Sequence, residues 1–310
     1  MITEISTKKM DYETWKSIRR KTIGGSDSSA IIGMNPYQSI YNLWAIKTNK
    51  IPEFEGNIAT EVGTYLEDFV AKLFEKETGK KVRRKNAIIY NDEYPFAHGN
   101  LDREIVGENA LLEIKTTDSL NSKKFKNGEF PDRYYSQIIH YLAVTGKQKG
   151  YLAVLIGNKE FKWFVIERDE EEIKALMKAE EYFWNNYVLT NTPPMVDGTD
   201  STSDTLRTIY PESNGESISL MAYENDLKQF MTLSSLLDDI KEQKEEVANR
   251  IKSFMGDCSR GECTKYKVSW SSFTKSTFDH KRFQADNPGI DLSAYYKSTV
   301  SRPFKVSEMN

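Results

Sequence analysis

The sequence from residue 102 to residue 115 reads Asp-Arg-Glu-Ile-Val-Gly-Glu-Asn-Ala-Leu-Leu-Glu-Ile-Lys, which predicts an antiparallel β-hairpin. A two-residue loop at Gly107-Glu108 sets a register that places Asp102 directly opposite Glu113. Such cross-strand partners share one face of a sheet, with Cβ atoms about 5 Å apart. Lys115 lies on the same face because side chains alternate along a strand.

Two carboxylates and a lysine therefore converge on one face of the hairpin, with the Ile114 carbonyl beside them. Hard oxygen ligands of this kind suit Mg²⁺ or Mn²⁺, and the ammonium can orient a water or help to deprotonate it. This combination is typical of metal-assisted phosphodiester hydrolysis. The same alternation of charged and apolar residues also fits a hairpin with one solvated face, so the hypothesis depends on further segments of the chain.

The composition indicates a soluble, intracellular protein. With 310 residues, of which 38% are hydrophobic, the chain is long enough for one folded α/β domain with an appendage. It has no apolar run of the roughly 18 residues that suggest a transmembrane helix, and no secretory signal pattern at its N-terminus. Cys258 and Cys263 are too few for a disulfide framework and are expected to be free thiols.

Residue patterns divide the chain into three parts. Residues 1–190 alternate predicted helices and strands, including an amphipathic helix over 61–78 and a helix from Asp169 to Leu189. Residues 191–217 contain Pro193-Pro194, several Ser and Thr residues and two glycines, which favours a linker. Residues 218–310 predict a charged helix over 218–256 and two short strands, Lys265–Trp270 and Ser272–Phe278. This last part is a candidate surface for oligomer or partner contacts.

Two helices of the first part carry polar residues that can reach the hairpin. Glu67 lies on the flank of the apolar stripe of helix 61–78, and Gly63 one turn earlier leaves room beside it. Gln137 and Tyr141 share a face of the predicted helix 133–145 and can hold a water or a phosphate oxygen. Without the hairpin, Glu67 fits an ordinary boundary residue, and the other two fit a partly buried polar pair.

The N-terminal region contains a candidate anion site. Backbone N–H groups of the turn Ile23-Gly24-Gly25-Ser26-Asp27, at the start of a helix, can bind a phosphate, and Arg19 and Arg20 stand upstream. Tyr37 and Trp44 are candidates for stacking on bases. Core packing is the alternative for both aromatic residues, and it is the favoured one for Trp44.

The net charge of −3 provides no overall attraction for nucleic acid, so a DNA contact must come from local clusters. Two basic clusters are present: residues 80–85, which read Lys-Lys-Val-Arg-Arg-Lys, and residues 123–126, which read Lys-Lys-Phe-Lys. For each cluster taken alone, a solvated loop or edge strand is the favoured interpretation.

Taken in order, five motifs resemble those of the YqaJ-type phage recombination exonucleases, relatives of the lambda exonuclease in the PD-(D/E)XK nuclease superfamily. The motifs are Ile23-Gly-Gly-Ser-Asp27, Asn35-Pro-Tyr37, Gly63-Thr-Tyr-Leu-Glu67, Asp102 with Glu113-Ile-Lys115, and Tyr135-Ser-Gln-Ile-Ile-His-Tyr141. The resemblance covers residues 10–190. It implies an α/β, restriction-endonuclease-like core, in which helices flank a central mixed sheet, with a C-terminal helical and short-strand appendage. Leu101 stands at the position where the signature that names the superfamily has proline. This departure affects the match to the signature more than it affects the implied mechanism.

By position, the resemblance implies a site for two Mg²⁺ or Mn²⁺ ions. The implied ligands are Asp102, Glu113 and the Ile114 carbonyl, with Glu67 assisting a second ion directly or through water. Lys115 would position or activate the attacking water, and Gln137 would orient that water or a ligand. Arg19 and Ser26 would form a pocket for a 5′-phosphate, with Arg20 as the alternative to Arg19.

The resemblance implies a 5′-to-3′ exonuclease that acts on double-stranded DNA ends and leaves 3′ overhangs for a single-strand annealing protein. It also implies a homotrimeric ring, encoded by a phage or prophage and acting in the cytoplasm of a bacterial host. Two alternatives stay open: another PD-(D/E)XK endonuclease, structure-specific or restriction-like, and a non-enzymatic DNA-end-binding recombination adaptor. An iron–sulfur exonuclease is excluded because its cluster needs four cysteines and the chain has two.

Overall fold

Helices and strands alternate along the chain. The structure is a computed structural model, and it describes residues 1–309 except for the side chain of Ala294. The chain forms two units, Met1–Tyr210 and Pro211–Asn310. The strands of the first unit are β1 (Ile2–Ser6), β2 (Ile23–Gly24), β3 (Val82–Arg84), β4 (Ala87–Asn91), β5 (Ala97–His98), β6 (Arg103–Ile105), β7 (Ala110–Thr117), β8 (Lys149–Ile156) and β9 (Glu160–Glu167). Its α-helices are α1 (Tyr12–Arg20), α2 (Gly25–Ile31), α3 (Ile40–Lys47), α4 (Ile58–Thr78), α5 (Asp132–Thr145), α6 (Glu170–Phe183) and α7 (Asp200–Ile209).

A five-stranded sheet with the order β3-β6-β7-β8-β9 forms the centre of the first unit. Strand β6 pairs antiparallel with both β3 and β7, β8 pairs parallel with β7, and β9 returns antiparallel to β8. A parallel pair needs a crossover connection, and helix α5 lies in the connection between β7 and β8. The predicted α/β class, with a mixed central sheet flanked by helices, is confirmed.

The two faces of this sheet pack against different helices. On one face, Phe74 of α4 lies in a buried apolar cluster with Leu112 and Ile114 of β7. On the other face, buried residues of β7 and β8 form a cluster with residues of α5 and α6. Because side chains alternate along a strand, Glu113 points to the face that α5 covers.

Helix α4 begins and ends at conventional signals. The Asn57 side chain accepts a hydrogen bond from the Thr60 N–H (3.1 Å), and Gly79 ends the helix in the left-handed region with a φ of 70°. The predicted helix over 61–78 is confirmed and starts one turn earlier. Val70 in its second half is fully buried, whereas the first turns remain exposed. The N-terminal half of α4 is therefore more exposed than the second half, although Leu66 still packs against the apolar cluster of the sheet.

The β6–β7 hairpin has the predicted register but not the predicted loop. The paired residues are Arg103 with Leu112 and Glu104 with Leu111. This register places Asp102 opposite Glu113, as expected. The two-residue loop was wrong: the chain turns over residues 106–109, because the Val106 N–H donates to the Lys81 carbonyl (2.8 Å) beside β3 instead of pairing across the hairpin.

Residues 191–217 are not a linker throughout, which corrects the sequence prediction. Helix α7 lies within this stretch, and its Thr202 and Thr205 are each 1% exposed. The Asn42 side chain of α3 donates a hydrogen bond to the Thr205 hydroxyl (2.8 Å). The Ser and Thr residues that suggested a linker instead form the buried polar face of a helix, and the first unit extends to Tyr210.

The second unit contains α8 (Glu224–Met255), β10 (Arg260–Glu262), β11 (Lys267–Ser269) and α9 (His280–Asp286). Helix α8 confirms the charged helix predicted over 218–256. The predicted strand Lys265–Trp270 contains β11, but its partner is β10, on the other side of Cys263, and Ser272–Phe278 forms no strand. Within residues 1–309, no helix combines the length and the apolar composition needed to cross a bilayer.

Gly150 provides a test of the packing between α5 and β8. A Cβ atom at this position would lie 2.3 Å from Cγ2 of the fully buried Ile138, a β-branched residue whose rotamer the helix restricts. We expect Gly150→Ala to lower the free energy of unfolding by about 1–3 kcal/mol, measured by urea denaturation. Gly198→Ala is the control, because nothing lies within 4 Å of a Cβ there. Equal stability of the two variants would contradict this packing.

Candidate active site

Asp102 and Glu113 meet at the end of the β6–β7 hairpin. The Asp102 carboxylate accepts a hydrogen bond from the Ile114 N–H (2.8 Å), which holds it against strand β7. Glu113 is 2% exposed and faces α5. The structure thus brings together the two acids that the sequence placed opposite each other, away from bulk water.

Helix α5 and β7 both supply donors to Glu113. Lys115 Nζ donates to Glu113 Oε1 (2.6 Å), and Gln137 Nε2 donates to the same oxygen (2.7 Å). Gln137 Nε2 also lies 3.1 Å from the Tyr141 hydroxyl oxygen, to which it donates. The other carboxylate oxygen, Glu113 Oε2, is buried and has no hydrogen-bond partner among the described residues. One oxygen of Glu113 is therefore fixed, and the other is available to a ligand.

The surroundings of the two acids raise the pKa of both carboxyl groups. Burial and the neighbouring Glu113 carboxylate raise the pKa of Asp102 well above its usual value. Burial also raises the pKa of Glu113, although Lys115 opposes the change. Two buried carboxylates at close range favour a shared proton or a bound cation. A proton or a cation in addition to Lys115 would therefore stabilise the pair.

Lys115 and Tyr141 keep their protons in this site. Burial alone would lower the pKa of Lys115, but the Glu113 and Asp102 carboxylates outweigh it and raise that pKa. Burial and the same two carboxylates raise the pKa of Tyr141 well above 10.0. The chain thus presents an ammonium and a neutral phenol beside the acids, which suits positioning of a water or a phosphate oxygen rather than abstraction of a proton.

Glu67 lies close to the acids but has another partner. Its carboxylate forms an ion pair with Arg103, whose side chain is 4% exposed and also contacts Asp68 at 2.7 Å. Its negative charge nevertheless contributes to the raised pKa of both Asp102 and Glu113. Reasoning from sequence missed Arg103, although its place directly after Asp102 was a signal. Arg103 would therefore compete with a metal ion for the Glu67 carboxylate.

The donor set fits a divalent cation held by few side chains. No group of three or more His, Cys, Asp or Glu side chains arranged for a metal is present in residues 1–309. The available donors are the two carboxylates and the Ile114 carbonyl, which are hard oxygen ligands. An unpartnered buried oxygen on Glu113, beside an acid with a raised pKa, is an arrangement that Mg²⁺ or Mn²⁺ would relieve. The metal-ligand assignments stay predictions.

The residues predicted to bind a phosphate lie together at one cavity. Arg19 Nη2 lies 3.4 Å from the Ser26 hydroxyl, and its guanidinium stacks 4.3 Å from the centre of the Trp15 ring. The cavity measures about 290 Å³ and is lined in part by Arg19, Arg20 and Ser26. Arg20 instead donates to the Asn49 side chain (2.8 Å), and its buried Nε has no partner among the described residues.

In the turn before α2, the Asp27 side chain takes up part of the predicted anion site. The Gly24 N–H donates to Asp27 Oδ2 (2.9 Å), so this N–H is not free for an anion, contrary to the sequence prediction. Asp27 is in turn paired with the buried Lys47 ammonium (2.7 Å). A Cβ on Gly25 would lie 2.5 Å from the Tyr141 ring, so the turn packs directly on α5. This contact joins the phosphate residues to the acidic site.

Of the two stacking candidates, one is exposed and one belongs to the core. Trp44 is 3% exposed, and its indole N–H donates to the Tyr187 carbonyl (3.1 Å), so packing decides its role. Tyr37 is 69% exposed and lies 5.0 Å from the Arg133 guanidinium. The hypothesis of base stacking therefore survives only for Tyr37.

A larger cavity, of about 720 Å³, extends between the acidic site and the predicted phosphate residues. Gln137 lines it at the acidic end, and Ser26 lines both this cavity and the smaller one. Among the described residues, its wall contains no acidic side chain. It contains carboxamides, aromatic rings and a guanidinium, from Asn35, Gln38, Asn42, Asn57, Gln137, Tyr37, Phe54, Tyr134 and Arg133. Such a wall has the polarity and the size for a nucleotide.

A buried ion pair that the sequence did not reveal secures the back of α5. His140 Nδ1 lies 2.9 Å from the Glu180 carboxylate, and both side chains are fully buried. Ser28 donates to the same carboxylate (2.6 Å). Burial lowers the pKa of His140, but Glu180 outweighs it and the net change is upward. The pair links α5, α6 and α2 and is fully buried, so it stabilises the packing of the helices around the site.

Comparisons with known proteins identify relatives of this chain. A profile of the YqaJ-like viral recombinase domain matches residues 14–148. The uncharacterized protein YqaJ of Bacillus subtilis (strain 168) is 39% identical over 306 residues, which cover 97% of this chain and 96% of that protein. The alignment therefore includes both units.

Two solved structures, both of proteins described as exonucleases, are partly similar to this chain. An alkaline exonuclease from Laribacter hongkongensis matches with a TM-score of 0.48 and 19% identity, over 58% of this chain and 94% of that chain. A phage-related exonuclease from Haemophilus somnus 129PT matches with a TM-score of 0.42 and 15% identity, over 55% of this chain and 96% of that chain. The near full-length similarity to the Bacillus protein decides the family: this chain belongs to the YqaJ-like viral recombinases.

Proposed function

We propose that the protein is a Mg²⁺- or Mn²⁺-dependent exonuclease that degrades one strand of double-stranded DNA from its 5′ end. The observation that carries this proposal is Glu113, whose Oε1 is fixed by Lys115 and Gln137 while Oε2 is buried without a donor. Family membership and the exonuclease neighbours support nuclease activity. The product would be a 3′ overhang for a single-strand annealing protein, in the cytoplasm of a bacterial host.

Each residue of the site has a distinct part in this mechanism. Asp102, Glu113 and the Ile114 carbonyl would hold metal, and Glu67 would assist a second ion once it leaves Arg103. The bound ions would supply Lewis-acid polarisation of the phosphodiester and a more acidic water. The Lys115 ammonium orients the attacking water and stabilises charge that develops on the phosphate. Gln137 keeps the Glu113 carboxylate turned toward the ligand.

The two cavities share Ser26 as a lining residue, and this arrangement suits cleavage near an end. Arg19 and Ser26 would bind the 5′-phosphate, because a guanidinium and a hydroxyl both donate to phosphate oxygens. The larger cavity, which reaches from Ser26 to Gln137, would hold the nucleotide between that phosphate and the scissile bond. Tyr141 packs under the turn that carries Ser26 and so couples the two ends.

A homotrimeric ring around DNA is the assembly that we propose for this enzyme. The exposed face of α8 supports association, because Phe230, Leu233, Leu237 and Ile240 recur at heptad spacing and each is at least 41% exposed. A ring would also place the local cations of several copies around one duplex, which a chain of net charge −3 requires. The same face of α8 is the alternative docking surface for the annealing protein.

The first test separates metal binding from water positioning. We expect Glu113→Gln to lower the rate of cleavage by several orders of magnitude and to abolish the rise in unfolding temperature that Mn²⁺ causes. Lys115→Met should lose cleavage to a similar degree but keep that rise. Digestion of linear duplex in a gel assay and thermal unfolding with and without Mn²⁺ provide the two readouts. Retained cleavage in Glu113→Gln would remove the central assignment.

A second test concerns end recognition. Arg19→Ala or Ser26→Ala should slow digestion of 5′-phosphorylated duplex by about 10- to 100-fold, as expected for a lost hydrogen bond to a charged group. Digestion of 5′-hydroxyl duplex should change much less, so the gap between the two substrates narrows. Lys16→Ala, which removes a charge from the same helix, is the matched control. An equal loss on both substrates would assign Arg19 and Ser26 to folding or general DNA binding.

A third test concerns assembly and the two alternative functions. Light scattering should show a closed oligomer, expected to be a trimer, and digestion of a long duplex should continue after trap DNA is added. A monomer that releases DNA after each cut would exclude the ring. Closed circular DNA should remain intact with Mg²⁺. Cleavage of the circle would favour an endonuclease, and metal-independent end binding without cleavage would favour an adaptor.

A further inference from the structure

The basic cluster at residues 80–85 is neutralised by acids of the same chain. Each of its five cations forms an ion pair with a neighbouring carboxylate. The pairs are Lys80 with Glu108 (2.6 Å), Lys81 with Glu75 (3.6 Å), Arg83 with Glu104 (3.1 Å), Arg84 with Asp68 (2.7 Å) and Lys85 with Glu4 (2.6 Å). A surface in which every cation has an acid beside it presents little net potential to a phosphate backbone.

The second basic cluster is different. Lys123, Lys124 and Lys126 are all exposed, and in the part of the chain that the structure describes none of them has an ion-pair partner. Glu129 and Asp132 share a surface depression with Lys124 without pairing with it. The two clusters look alike in sequence, but only the second one offers free positive charge. We refer to Lys123, Lys124 and Lys126 as the cationic rim.

The segment that carries the cationic rim is held firmly. It follows β7 as a 3₁₀ turn over Ser119–Phe125, which Asp118 caps by accepting from the Leu120 N–H (2.7 Å). Asn121 donates to Thr117 (3.0 Å), and Lys162 donates to the Phe125 carbonyl (2.6 Å). The backbone is therefore tethered at several points while the three lysine side chains extend into solvent.

The rim is also connected to the acidic site through aromatic rings. Phe125, which lies between the rim lysines in sequence, is 2% exposed and stacks on Tyr134 with ring centres 6.4 Å apart. Lys115 Nζ lies 5.6 Å from the centre of the same Tyr134 ring. One tyrosine ring thus separates the anchor of the rim from the catalytic lysine, so the rim lies beside the proposed cleavage site.

We propose that the cationic rim binds phosphates of the DNA backbone beside the cleavage site, and that the Lys80–Lys85 cluster does not. This inference rests on the proposed function for its ligand, which is the phosphodiester backbone of DNA. Unpaired lysines on a fixed segment act as point charges for phosphates and contribute affinity without reading the sequence of bases. The rim would hold the substrate while Asp102 and Glu113 act on one bond.

The test is the salt dependence of binding to a linear duplex in EDTA, where no metal-dependent cleavage occurs. The variant Lys123→Gln/Lys124→Gln/Lys126→Gln should reduce the slope of log Kobs against log salt concentration by about 1 to 3 units, since each phosphate contact contributes about 0.9. The matched control is Lys81→Gln/Arg83→Gln/Arg84→Gln, which removes an equal charge from the paired cluster. Its slope should equal that of the wild type.

A wild-type slope in the rim variant would overturn the proposal. Equal reductions in both variants would also overturn it, because they would report net charge rather than a surface. Thermal unfolding of both variants shows that each is folded before its slope is compared. Digestion of linear duplex by the wild-type protein with Mg²⁺ is scored separately. The proposal for the rim can therefore be refuted in a protein that is an active nuclease. It can also be supported in a protein that binds DNA without cleaving it.

Discussion

The register between β6 and β7 is the constraint on which the rest of the site depends. It places Asp102 opposite Glu113, and the Ile114 N–H fixes the Asp102 carboxylate at 2.8 Å. Two buried acids repel each other and cost free energy unless cations or donors offset them. The fold offsets part of this cost with Lys115 and Gln137, and leaves one oxygen of Glu113 without a partner. The unmet demand for positive charge is what makes this pair a candidate for metal binding.

Helix α5 connects this pair of acids to the Gly25 turn and to helix α6. As the crossover between two parallel strands, it must lie on the sheet face that Glu113 shares. Its Gln137 contacts Glu113, its Tyr141 packs against the Gly25 turn, and its His140 pairs with Glu180 of α6. The paired acids, the Gly25 turn and the helical layer behind them are therefore positioned by one element. A shift of α5 would disturb all three together.

Pairing, not composition, decides which charges of this acidic chain are available to DNA. Residues 80–85 hold more cations than residues 123–126, yet each of them faces a carboxylate. The partners come from distant parts of the chain, such as Glu4 and Glu108, so counting charges along the sequence cannot reveal them. Glu67 follows the same rule, since its carboxylate is paired with Arg103. Local charge density in a sequence is therefore a weak guide to a binding surface.

The sequence by itself determined the α/β class, the hairpin register, the C-terminal limits of α4 and α5, and the meeting of Asp102, Glu113 and Lys115 on one face of the hairpin. These follow from local rules, because side chains alternate along strands and recur along helices with fixed periods. Tertiary structure alone decided the partners of Glu67 and His140, the burial of Trp44, and the place of α7, which sequence composition had suggested was a linker. Each of these depends on which distant segment packs against the residue, and no local period encodes that choice.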